Sequence, residues 1–113
     1  MTIQELLEKM PSALKVGTQT YTVTAVADLK HEDVPCNGVC EEEKLMIQIE
    51  SQQASKAQIV DTAVHELLHA IWYERNLPKK PDEERAVHSL ATGLVALFQD
   101  NPKLLDWIKK GLK

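Results

Sequence analysis

The chain has 113 residues, of which 43% are hydrophobic and 27% charged. That length fits one domain spanning residues 1–113, with enough apolar content for a modest core. A net charge of −4 offers no basic surface for nucleic acid, and no run approaches the roughly 18 apolar residues of a membrane span. The start, Met1-Thr2-Ile3-Gln4-Glu5, carries an acid where a signal peptide wants basic and apolar regions. A cytoplasmic chain without a pro-segment is therefore expected.

Thr2 followed three residues later by Glu5 spells a capping box, which predicts a first helix ending at Pro11. Residues 14–16 and 20–26, separated by Gly17-Thr18-Gln19, predict a β-hairpin. Tyr21, Val23 and Ala25 share one face of its second strand, and Thr20, Thr22 and Thr24 the other. Residues 30–43 read as a polar loop. Residues 44–50 alternate Leu45, Ile47 and Ile49 against Met46, Gln48 and Glu50, the pattern of a half-buried strand.

Residues 55–76 lack Gly and Pro and carry Ile59, Val60, Ala63, Val64, Leu67 and Ile71 at helical spacing. Pro78 and Pro81 bracket the following turn. Asp82 is the candidate N-cap of the next helix, with Val87, Leu90, Ala91, Leu94 and Phe98 as its core face. Asn101 and Pro102 open a last helix, in which Leu104, Leu105, Trp107 and Ile108 form the apolar side and Gly111 the stop. Trp72 and Trp107 are expected as core anchors.

Cys36 and Cys40 lie in a loop rich in Pro, Asn and Gly. Reduced thiols, half of a metal site with His31 nearby, and a short disulfide are the competing readings. A structural zinc site usually wants four ligands, and no further cysteine exists, which favours reduced thiols.

The chemistry concentrates in His65-Glu66-Leu67-Leu68-His69. Side chains four apart share a helix face, so both imidazoles can hold one Zn²⁺ at about 2.0–2.1 Å. Glu66 lies about a hundred degrees round the helix from His65, placed to reach a water there rather than the ion. Asp61, one turn before His65, can orient its imidazole. A tetrahedral site needs a third protein ligand. The next helix opens Asp82-Glu83-Glu84-Arg85-Ala86-Val87-His88, where Glu84 and His88 are four apart and can point to one place. Acids in a first turn also simply suit the helix dipole, and a solvated histidine is the ordinary reading of His88.

Here the chain resembles the HExxH zinc peptidases called zincins, of the gluzincin type. These carry the third ligand, a Glu, near the start of the following helix, with a polar residue four positions later that supports a ligand histidine. Residues 84–91 look like that second segment. The resemblance implies Glu84 as third ligand and His88 in the supporting position. His88 departs from the usual Asp or Asn, which keeps it as an alternative ligand. In layout the chain is similar to small zincin-like proteins of phages and prophages and to mobile-element peptidases that cleave repressors. The likeness is specific over residues 65–91 and loose before them.

The expected fold is α+β: a zincin-like minimal domain with a small antiparallel sheet on the active-site helix and two further C-terminal helices. By the resemblance, residues 44–50 would be the edge strand that pairs with an extended substrate. The expected function is zinc-dependent hydrolysis of peptide bonds in a cytoplasmic protein or peptide, with Glu66 as general base. His31, Tyr21, Tyr73 and His88 are the candidate oxyanion donors. Mn²⁺, Fe²⁺ or Co²⁺ would also suit a two-histidine, one-carboxylate set. The rival readings are a zinc-binding module without proteolysis and a helical interaction protein in which the motif is coincidence.

Overall fold

Thr2 caps the first helix as its sequence predicts: its hydroxyl accepts from the Glu5 N–H, and the Glu5 carboxylate accepts from the Thr2 N–H, both at 3.1 Å. In the computed structural model, which describes residues 1–80 and 82–113, helix α1 spans Ile3–Glu8. Strands β1 (Ala13–Val16) and β2 (Gln19–Val26) follow as a hairpin with Leu14 opposite Tyr21. Then come β3 (Lys30–His31), β4 (Val34–Pro35) and β5 (Gly38–Glu41), a 3₁₀ turn at Glu42–Lys44, and β6 (Met46–Glu50). Three helices complete the chain: α2 (Lys56–Glu74), α3 (Glu83–Asp100) and α4 (Pro102–Gly111). Pro81, expected to bracket the turn before α3, lies outside the described residues.

The class is α+β, but the sheet is mixed, not antiparallel. Its order is β1-β2-β6-β5, and β6 runs parallel to β2, with Val23 opposite Ile47 and Ala25 opposite Ile49. Parallel neighbours need a long crossover. Residues 27–45, read from sequence mostly as loop, supply it and carry the β3–β4 hairpin and the edge strand β5. The strand expected from residue 44 begins at Met46, because Leu45 takes a left-handed conformation, φ 54°, after the 3₁₀ turn.

β6 is thus an interior strand. Its hydrogen-bonding edges are taken by β2 and β5, so it cannot receive a peptide by strand addition, and the expectation for residues 44–50 is corrected. The outer strands are β1, whose Lys15 N–H and carbonyl are taken by Asn101, and β5.

One face of the sheet packs on α2. Leu14, Val16, Tyr21, Val23, Ile47 and Ile49 meet Ile59, Val60, Ala63, Leu67, Ala70 and Ile71 in a single core, which Leu6, Leu97, Leu104 and Trp107 close. Ala25, expected on the core face of β2, is exposed near the strand's end. Trp107 donates its indole N–H to the Leu6 carbonyl at 2.7 Å, tying α4 to α1.

Caps set the helix starts. Ser55 accepts from the Gln58 N–H at 3.1 Å and Asp82 from the Arg85 N–H at 2.8 Å. Asn101 stands at the start of α4, but its side chain does not cap that helix. It instead bonds the Lys15 N–H and carbonyl at 3.0 and 2.8 Å, pinning the α3–α4 corner to β1.

The buried side of α3 is rotated from the expected one. Val87 is 56% exposed and Ala91 is exposed, whereas Ser89 and Leu97 are buried and Leu90, Leu94 and Phe98 half-buried. Gly93 sets this face, because a Cβ there would collide with the Ile71 side chain, so α3 lies against α2 where its side chain is smallest. Leu105 is likewise exposed. Gly111 ends α4 from inside it, where a Cβ would collide with Val60.

Tyr21 is fully buried, and its hydroxyl donates to the Glu74 carboxylate at 2.9 Å, joining β2 to the last turn of α2. Burial, then the Glu74 hydrogen bond, raises the phenol's pKa far above its ordinary value. Tyr21→Phe is expected to destabilise the domain by about 1.5 kcal/mol, the usual worth of a hydrogen bond to a charged group. Thermal unfolding would show it as a drop of roughly 6 °C. An unchanged midpoint would mean that the Tyr21–Glu74 bond carries no net stability. None of the helices is long and apolar enough to cross a membrane among the described residues.

Candidate metal centre

α2 delivers the central residues. Its buried face runs through Thr62, Ala63, Glu66, Leu67 and Ala70, which leaves His65 and His69 exposed on the adjoining face, one turn apart. Their Nε2 atoms are 3.2 Å apart, and their rings stand edge to face with centroids 4.8 Å apart. Two nitrogens bound tetrahedrally to one zinc at about 2.0–2.1 Å would be separated by about 3.3 Å. The donor pair therefore fits a zinc-sized ion as it stands.

The Glu66 carboxylate joins this pair. Ligand atoms of His65, Glu66 and His69 all lie within 4.8 Å of one another. Glu66 is only 6% exposed, because β5 crosses directly above it. A Cβ on Gly38 would stand 2.7 Å from Glu66 Oε2 and 2.7 Å from Thr62 Cγ2, closer than real carbon contacts allow. Only glycine at this point lets the edge strand lie on the helix at the carboxylate. Burial foremost pushes the Glu66 carboxyl above its ordinary pKa; the charges of His65 and His69 pull it down, and Glu42 adds a smaller upward push. A carboxylate raised in this way is a better proton acceptor near neutral pH.

β5 also turns backbone groups to the open edge. The Glu50 N–H donates to the Asn37 carbonyl at 2.7 Å, so the antiparallel alternation aims residues 37, 39 and 41 at β6. The N–H and carbonyl groups of Gly38 and Cys40 then face outward. This edge runs beside Glu66, the position that residues 44–50 were expected to fill.

Two open clefts meet at His65. One, ≈ 270 Å³, is lined by Asn37, Gly38, Asp61, Thr62, His65 and Glu66. The other, ≈ 410 Å³, is lined by His65, Leu68, His69, Trp72, Lys79 and Leu90. Trp72 is half-buried in that wall, so of the two tryptophans only Trp107 is a core anchor.

The remaining expected residues stand apart from the pair. Glu84 and His88 are exposed on the first two turns of α3, outside the gathered group. Asp61 lines the smaller cleft and makes no hydrogen bond to His65 among the described residues. Tyr21 is committed to Glu74 in the core, which removes it as an oxyanion donor; His31 and Tyr73 are exposed on β3 and α2. Cys36 and Cys40 are free thiols and gather no further metal-binding side chains among the described residues. Burial foremost, with Glu42 and Glu66 nearby, pushes the Cys40 thiol up to about 12, so it stays protonated.

Gly38, Trp72, Lys79 and Leu90 were not singled out as site residues by sequence reasoning. Only Gly38 carried a usable signal, as the glycine of an Asn-Gly pair six residues before a strand-like run; the others meet only through folding. Comparison with models of protein families, with curated proteins and with solved structures finds no match for this chain.

Proposed function

We propose that the protein is a zinc-dependent peptidase of the HExxH kind, a zincin-like domain that hydrolyses peptide bonds in a cytoplasmic protein substrate. One observation carries this reading: two imidazole nitrogens spaced for a single ion, with a buried carboxylate beside them. In this reading His65 and His69 hold the zinc. Glu84 is the third ligand, with His88 as the alternative. Zinc bound there would lower the pKa of water from about 15.7 toward 7 and polarise the scissile carbonyl. Glu66 takes the proton from the attacking water and returns it to the leaving amine. The outward N–H and carbonyl groups of Gly38 and Cys40 hold the substrate backbone extended along β5. β5 and Gly38 shield Glu66 from bulk water.

A second reading has an observation of its own. The gathered group contains Glu66 and no residue of α3. That arrangement favours a metal-binding module in which Glu66 is itself the third ligand and no turnover follows.

The first test is the metal content of protein purified without chelators or metal-affinity resin, by elemental mass spectrometry. About one zinc per chain is expected, lost on His65→Ala or His69→Ala. Glu84→Gln and His88→Gln then identify the third ligand. A protein that takes up no zinc on titration would end both readings and leave the motif a coincidence.

A further inference from the structure

The two clefts that meet at His65 differ in charge. The smaller carries Asp61 and Glu66. The larger is walled by Leu68, Trp72 and Leu90, and its one cationic side chain outside the histidine pair is Lys79. Lys79 has no ion-pair partner among the described residues, whose ion pairs are Lys15–Asp100 and Lys44–Glu41. An apolar wall with an unpaired ammonium group at its rim is complementary to a large apolar side chain with a carboxylate close by. Both clefts lie open to solvent and share His65, so a chain can run through from one to the other. That continuity favours an internal peptide segment over a chain end.

We propose that the larger cleft takes a large apolar residue of an extended peptide and that Lys79 pairs with an Asp or Glu next to it. Lys79 is then a specificity-determining residue. Asp61 disfavours a second acid across the histidines, so acid is selected on one side only. The proposal names the substrate class for the peptidase reading and rests on it.

The test is binding. Trp72 lies in the cleft wall, so its emission reports occupancy, while Trp107 is buried elsewhere and adds a constant background. Blocked peptides with a central Phe, bearing Asp on one side or the other, are titrated against their Lys counterparts. The zinc-loaded Glu66→Gln protein is used so that the peptides stay intact. In one of the two orders the Asp peptide should bind about fivefold tighter, the upper range for a solvent-exposed ion pair. Lys79→Gln should abolish that preference and Lys79→Glu reverse it. Lys79 is exposed, so neither change threatens the fold. Equal affinities in both orders, a preference that survives Lys79→Glu, or no binding of any peptide would overturn the proposal. Discrimination by Lys79 with no cleavage of any peptide by the unmutated protein would instead remove the peptidase reading and leave carboxylate recognition standing.

Discussion

Glu66→Gln is expected to keep about one zinc per chain and to lower peptide turnover by about 10²–10⁴-fold, the usual worth of a positioned general base. The amide has nearly the shape of the carboxylate, so its close approach to Gly38 survives. What changes is the proton acceptor. An amide cannot take a proton, so the attacking water loses its base. Zinc content and turnover must be measured on the same preparation, because the two readings of the site part at this variant. If Glu66 is the base, zinc stays and turnover falls. If Glu66 is a ligand, zinc falls with it. Unchanged turnover would remove Glu66 from the base role, and unchanged zinc content would remove it from the ligand role.

The legible part of this chain is the part whose signal is local. The capping box at Thr2, the cap at Asp82 and the long amphipathic run of α2 are written in contiguous residues, and each forms as spelled. The pairing of His65 with His69 follows from helical spacing alone. Local patterns fall short where partners choose between alternatives. Residues 83–100 hold two overlapping apolar rows, and the approach of Gly93 to Ile71 selects the row that leaves Val87 and Ala91 outside. The parallel pairing of β2 with β6 has no local mark, since either strand would alternate identically beside an antiparallel neighbour. β5 has four residues and one buried side chain, Val39, too few to show a period of two. The cleft of Trp72, Lys79 and Leu90 draws on α2, the turn after it and α3, so no stretch of sequence contains it.

Gly38→Val is expected to damage stability and the site together, which makes it the sharpest test of how β5 is seated. No left-handed conformation is involved, as Gly17 is the glycine with positive φ among the described residues. The cost is steric: the new Cβ alone would stand 2.7 Å from both Thr62 Cγ2 and Glu66 Oε2, and valine adds two methyl groups. Overpacking of this kind typically costs about 1–3 kcal/mol, enough to lower the thermal midpoint by roughly 4–20 °C. The strand would have to lift from α2 or push Glu66 aside, so turnover should fall further than stability alone accounts for. Thr62→Ser separates the two effects, because serine removes the Cγ2 contact and keeps a hydroxyl for its 3.1 Å hydrogen bond to Gln53. In the Gly38→Ala background, Thr62→Ser should restore part of the lost stability, the signature of two residues in contact. It should not restore turnover, because the collision with Glu66 remains. A Gly38→Val protein with the stability and turnover of the unmutated chain would mean that β5 does not lie on Glu66, and the shielding assigned to that strand would fall with it.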